Sequence, residues 1–341
     1  MSPRNARTTI RDVAREAGVS VTTVSHALNG KGMVADATRD RIADIARRMH
    51  YRPHAVASGL RNNRLGVLAL VLRPLDTLES FLPDGVDYFV RFAGAASLSA
   101  LEHGYGLMLL SDPTLPETPS VSLAADGFII TEPVENDPVI DLLLAEEIPF
   151  LTVGKDPARD SYGSFIEPNT ALITAEVLDH LADNGAQRVA IAIGTDRNQW
   201  NLATEDTYRE WCAERGQEPV ILVQQETSGL AGGKVLAEQI LAMEDRPDAA
   251  YCLTGRHAAG LQARLAEAGI STPGDFLLVA GSDSEQTRNS NPPITAMDLM
   301  PEATARAAIA ALVEQLGGTP KRDDHDGGID GRFIIRESST R

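Results

Sequence analysis

Val21, Thr22, Ser25 and His26 are the residues of this chain best placed to read a nucleic acid, because they open the second helix of a helix, tight turn, helix pattern. In a helix-turn-helix, the first residues of the second helix meet base edges in the major groove. Thr22 offers a hydroxyl and a methyl, Val21 an apolar surface for a thymine methyl, and His26 a ring nitrogen that donates or accepts. Thr9-Ile10-Arg11-Asp12 fits a capping box, which starts the first helix and carries it to about Ala17. Gly18 suits the left-handed residue that closes a helix, and Ser20 suits the N-cap of the next, which begins at Val21. Ile10, Val13, Ala14 and Ala17 recur at helical spacing, as do Val21, Val24 and Leu28, and a third stripe follows in Ile42, Ile45, Ala46 and Met49.

Any three-helix unit with a glycine turn shares that spacing, so charge is the second indicator. Residues 1–64 carry 12 Lys+Arg against 5 Asp+Glu, and the rest of the chain carries 19 against 43. A basic module exchanges condensed counterions on a phosphate backbone for its own cations, whereas an acidic body is repelled by the same polyanion. Only the N-terminal part suits nucleic acid. The whole-chain charge of −17 hides this division.

The run TTIRDVAREAGVSVTTVSHALNGKGMVADATRDRIADIARRMHYRPHAVASGLR resembles the DNA-binding domain and hinge of the LacI/GalR family of transcription regulators. The resemblance implies a helix-turn-helix domain over 1–52 and a hinge over 53–63. It implies phosphate contacts from Thr9, Ser20, Thr23, Asn29, Thr38 and Tyr51, which set register without reading sequence. It also implies that Tyr51, Arg52 and Pro53 open the hinge, that His54 and Ala57 contact DNA, and that Leu60 wedges into the minor groove. An apolar wedge unstacks a base step at a cost of a few kcal/mol and gains wrapped contact area. His26 stands where many members have an arginine, and one imidazole cannot make the bidentate fork to guanine. His54 replaces the usual Asn, Ser58 a common Arg and Gly59 a common Ser. Glycine is a poor helix former, so a hinge disordered without DNA is expected.

From about residue 64 the chain alternates strand and helix. Apolar runs at 65–72, 106–110, 127–130, 149–153, 188–193, 219–223, 249–253 and 276–280 read as buried parallel strands. Helical stretches at 86–103, 169–184, 229–243 and 256–268 lie between them. Repeated units of this kind predict α/β architecture, open parallel sheets with helices on both faces, here in two lobes over 64–341. The layout resembles the periplasmic-binding-protein-like effector domain of the same family, as do PDAAYCLTGRHAAGLQARLAEAGISTPGDFLLVAGSD and PPITAMDLMPEATARAAIAALVEQLGG followed by FIIRESS. The expected first lobe holds about 64–153 and 284–315, and the second about 154–283 and 316–341. The connection at 112–125 is short and proline-rich, which predicts that a helix of the first lobe is missing there.

Ligands of open α/β sheets bind beyond the carboxyl ends of the strands, so an effector belongs in the cleft between lobes. Two of the family's polar clamps are absent: the R-x-x-G-Y segment is replaced by Thr204-Glu205-Asp206-Thr207-Tyr208, and an Asn-Asp pair by Thr254-Gly255. Arg197, Trp200, Arg256, His257 and Asp283 remain as candidate effector contacts near strand ends.

Enzyme readings lack a motif. G-x-G-x-x-G and Walker loops are absent, Gly232-Gly233-Lys234 follows no phosphate-binding turn, and no C-x-x-C spacing suggests a metal. No cofactor is expected. Cys212 and Cys252 read as buried, reduced thiols, and the acidic run at 321–328 as a solvated loop. No secretory or 18-residue apolar segment occurs, so a cytoplasmic protein with no membrane partner is expected. The expected function is a repressor that binds palindromic double-stranded operator DNA as a homodimer and answers to a small-molecule effector such as a sugar or nucleoside. A solute-binding protein and an effector-independent regulator are the alternatives.

Overall fold

The computed structural model describes residues 8–28, 32–51, 64–72, 87–160, 162–319 and 331–341. Two compact units result, 1–65 and 66–341. The first contains α1 (Ile10–Ala17), α2 (Val21–Leu28) and α3 (Asp36–Arg48). Asp12 accepts from the Thr9 N–H at 2.9 Å and the Thr9 hydroxyl at 2.6 Å, which fixes the first turn of α1. Gly18 closes α1 at φ 64°, and the Val19 N–H returns to the Ala14 carbonyl at 3.1 Å. A side chain at that φ would be strained, which is why glycine stands there. The predicted stripes converge in one core of Val13, Ala14, Ala17, Val24, Ala27, Ile42, Ile45 and Ala46, except that Val21, expected in the second stripe, is exposed and Ala27 takes the inner position on that helix.

The second unit holds two sheets. The first sheet has the order β2-β1-β3-β4-β5, with β1 (Val67–Val71), β2 (Gly106–Leu110), β3 (Gly127–Thr131), β4 (Phe150–Val153) and β5 (Ser164–Ile166), all parallel. The second has the order β11-β10-β9-β8-β6-β7, with β6 (Val189–Ile193), β7 (Val220–Val223), β8 (Ala249–Cys252), β9 (Leu277–Ala280), β10 (Thr295–Asp298) and β11 (Arg332–Ile334). Here β11 pairs antiparallel with β10, a departure from the all-parallel expectation.

Helices cover both faces of each sheet. In the first lobe, α4 (Asp87–Glu102) and α11 (Pro301–Gln315) pack on one face through Phe92, Ala96, Ile309 and Leu312, and α5 (Pro138–Ala145) packs on the other through Val139, Ile140 and Leu143. In the second lobe, α6 (Thr170–Asp183) and α7 (Gln199–Arg215) face α8 (Gly229–Leu241) and α9 (Gly255–Glu267) across the sheet, and α10 (Glu285–Asn289) follows β9. Between β2 and β3 the structure has only the 3-10 turn Ser120–Leu123, where a helix was predicted to be missing.

The expected lobe boundaries need correction. Residues 164–166 complete the first sheet rather than opening the second lobe, and 295–298 lie in the second sheet rather than the first lobe. The chain changes lobe after β5, after β10 and again between α11 and β11. β5 was invisible because it is three residues long on a sheet edge, and β10 because Thr295 and Asp298 interrupt its apolar pattern. Of the sequence readings, Asn29, the hinge residues Arg52, Pro53, His54, Ala57, Ser58, Gly59 and Leu60, and the 321–328 run lie outside the described residues.

Candidate functional site

Val21, Thr22 and His26 are exposed on the first two turns of α2, whereas Val24 and Ala27, on the opposite side, are buried. The helix therefore has an inner face held by the core and an outer face free to enter a groove. Ser25 is partly buried. His26 lies over Gly32, where an added Cβ would fall 2.7 Å from the imidazole Nδ1. A glycine at φ 69° thus leaves room for the ring. Ser20 is the N-cap: its Oγ accepts from the Thr23 N–H at 3.0 Å and shares a hydrogen bond with the Thr23 hydroxyl at 2.8 Å. Thr9 is exposed at the start of α1, Thr38 half-buried in the first turn of α3, and Tyr51 packs partly into the core.

In the second unit, the cleft is a cavity of about 490 Å³ including its open mouth. Its floor is made where strands end: Glu132 and Pro133 after β3, Val153, Gly154 and Lys155 at the end of β4, and Glu167 and Pro168 after β5. Tyr88 of α4 lines it from one side; Asn198, Gln199 and Trp200, at the start of α7, and Leu299, at a lobe crossing, line it from the second lobe. A clasp joins the lobes beside it. Val134 and Asn198 form an isolated antiparallel bridge, and the Glu135 N–H reaches the Arg197 carbonyl at 3.0 Å. The Arg197 guanidinium grips Glu135 through Nε at 2.5 Å and Nη2 at 3.1 Å.

The electrostatics are uneven. Burial pushes the Glu132 carboxyl up to about 7, and the nearby charges of Glu226 and Asp196 push the same way. Glu132 also has φ 47°, a left-handed backbone unusual for a residue with a side chain. Burial raises Glu167 as well, with a backbone hydrogen bond and the charge of Lys155 opposing. The segment around Glu132 is held from below: the Asp156 carboxylate accepts from the N–H groups of Asn136, Asp137 and Ala158 and from Arg159 Nε.

Of the five residues expected from sequence to contact an effector, Trp200 alone lines this cavity. Arg197 is engaged with Glu135 at the clasp. His257 is buried between α8 and α9, with Nε2 3.1 Å from the Ser228 hydroxyl; burial, then the Arg256 charge, lowers its pKa to about 4. Arg256 sits beside Gly229, where an added Cβ would be 3.5 Å from its guanidinium. Burial opposes ionisation of Asp283, yet hydrogen bonds from Arg336, Arg288 and Thr287 together hold its carboxyl below the usual range. The replaced family segments have structural work: Tyr208 donates to the Val189 carbonyl at 2.6 Å, and the Thr254 hydroxyl caps α9. Glu132, Lys155 and Glu167 were missed, although each follows the end of a strand, the signal that pointed to Trp200.

Among the described residues, no group of His, Cys, Asp and Glu could hold a metal, and no helix is long and apolar enough to cross a membrane. Residues 9–54 match the family model of bacterial regulatory proteins of the lacI family, and 178–339 match that of a periplasmic binding protein-like domain. The chain is 26% identical to the HTH-type transcriptional repressor PurR of Mannheimia succiniciproducens, over 97% of this chain and 98% of that one. It is 23% identical to catabolite control protein A of Staphylococcus epidermidis, over 85% and 86% of the two chains. The lac repressor dimer solved with operator and the anti-inducer ONPF has the same fold, with a TM-score of 0.78 at 18% identity over 98% of this chain and 100% of that one. The two family models match 9–54 and 178–339, the curated repressors match along nearly the whole chain, and the chain is a member of the LacI family of DNA-binding transcription regulators.

Proposed function

We propose that this regulator is a cytoplasmic repressor that binds a palindromic operator as a homodimer and is controlled by a small molecule in the cleft, with no catalytic step of its own. The observation that carries the reading is the outward face of α2, where Val21, Thr22 and His26 stand exposed on a helix whose other side is locked into the core. Two-fold symmetry of a protein matches two-fold symmetry of its site. The surface for pairing is on α4: Val90, Gly94, Leu98 and Leu101 recur at helical spacing and are all exposed, and Leu109 of the edge strand β2 is exposed on the same side of the sheet. Contiguous apolar surface of this kind marks an interaction site. Its relative, the lac repressor, was solved as a dimer on operator.

Control follows from linkage. A ligand that favours one arrangement of the two lobes shifts the dimer toward or away from the arrangement that grips DNA, and DNA shifts ligand affinity by the same factor. The test is selection of bound duplexes from a random pool by the full chain, followed by binding at graded salt. A two-fold symmetric sequence with a steep loss of affinity on adding salt is expected; recovery of no symmetric sequence would overturn the reading.

Ser20 separates fold from contact. Ser20→Ala should lower the stability of the N-terminal unit by about 1 kcal/mol through loss of the cap. Ser20→Asp retains a capping oxygen but sets a negative charge against phosphate, so thermal melting should stay near that of the parent while a gel shift shows weakened binding.

A further inference from the structure

We infer that the cleft takes a small organic amine, whose cationic nitrogen pairs with Glu132 inside the cavity lined by Tyr88 and Trp200 and whose other end presents a hydrogen-bond donor to Glu167. The inference rests on the effector reading of the cleft and names the chemical class of its ligand.

Among the described residues, the cavity is lined by two carboxylates, Glu132 and Glu167, and one ammonium, that of Lys155. Lys155 balances Glu167: its charge and a backbone hydrogen bond both act on that carboxylate. Among the described residues, Glu132 has no such partner. The charges that act on it, Glu226 and Asp196, are of its own sign, and Arg197 at the cleft edge is already gripped by Glu135. A carboxylate held away from water beside other carboxylates costs free energy unless a cation reaches it. The cavity is open to solvent on one side, so a ligand can enter without being wholly enclosed, and the aromatic residues Tyr88 and Trp200 in its lining suit a cation. At the other end, Glu167 Oε2 is shut off from solvent and accepts no hydrogen bond. Rotation of that carboxyl about its last bond turns the unpaired oxygen toward an incoming N–H or O–H. A neutral sugar could satisfy Glu167, but it would leave the charge on Glu132 unanswered.

The experiment is a pair of matched titrations of the full chain, followed by thermal shift and calorimetry: glucosamine against glucose, and tyramine against the ethylphenol that lacks its amine. At least one amine should bind, and about tenfold or more tightly than its neutral partner, because truncating one member of a buried charge pair costs that or more. Glu132→Gln should erase the preference, and Glu167→Gln should weaken the amine without erasing it. Glu132→Gln is also expected to be more stable than the parent without ligand, so a lost response cannot be ascribed to unfolding. Equal binding of amine and neutral partner, or an amine preference that survives Glu132→Gln, overturns the inference. Silence of both amines while neutral sugars or nucleosides bind overturns the amine class and leaves the effector reading standing; silence of every class counts against both.

Discussion

Leu98→Glu should convert the protein to a monomer of 36.5 kDa and weaken operator binding by roughly 10²–10⁴-fold, the range set by uncoupling two linked half-sites. Leu98 is 61% exposed on α4, in line with Val90, Gly94 and Leu101, so the substitution costs the isolated fold little. In a symmetric pair the same stripe meets its own copy, and each Leu98→Glu would bury a charge against its partner's apolar stripe. Such a charge has nothing to pair with there, and its desolvation outweighs what the apolar contact returned. An added Cβ at Gly94 meets no atom within 4 Å, so that position leaves room at the centre of the stripe for close approach. Light scattering on an eluting column peak gives the mass, and a gel shift on the selected operator gives the affinity. A variant that remains dimeric with unchanged operator affinity would remove α4 from the interface and send the search to another surface.

The second large effect is a gain. Glu132→Gln should stabilise the ligand-free protein by about 3 kcal/mol at pH 8, because a carboxyl raised to about 7 from an ordinary 4.5 resists ionisation in the fold by that amount. Below the unfolded pKa the carboxyl is protonated in both states and contributes nothing. As pH rises from about 4.5 to about 7, the unfolded chain loses its proton first and the folded state falls behind; above 7 the loss is complete. His257 runs the other way in an overlapping window. Its folded pKa lies near 4, below its unfolded 6.5, so its contribution is full above 6.5 and declines as pH falls toward 4. The two slopes oppose each other in the parent, so stability changes little between pH 4.5 and 6.5. In Glu132→Gln the His257 slope loses its main opponent, with Glu167, also raised by burial, left to offset part of it, and denaturant midpoints should climb from pH 4 to 6.5 and then level. Equal stability of parent and variant at pH 8 would mean that Glu132 carries no strain of charge.

The two units differ in how much of them is written locally. The DNA-reading unit is a short-range construction: Asp12 bonds Thr9 three residues back, Ser20 bonds Thr23 three residues on, and Gly18 turns the chain between. Each of these is a statement about neighbours in sequence, so the caps and helix starts could be taken from the string, and with them the place of Val21, Thr22 and His26 on the first turns of α2. The eight predicted strands of the body were legible for a similar reason, since a buried parallel strand is apolar on both faces. β5 and β10 were not, because a three-residue edge and a strand ending in Asp298 have no such pattern.

The cleft was the least legible part. Arg256, His257 and Asp283 have the residue types of a binding site and follow strands, yet α9 turns His257 into the helix packing, and Arg336, 53 positions further on, captures Asp283. Glu132 looked like one acidic residue among many. Its importance comes from the charges of Glu226 and Asp196, which are brought near it only when the second lobe stands over the ends of β3 and β4. By itself the sequence determined the class of the protein, because helix caps, apolar periodicity and a segregated basic charge act over a few residues. Only the tertiary structure decided which side chains share the cleft and which are taken up by packing, because burial and Coulomb interactions depend on distance in space, and the chain brings those residues together from both lobes.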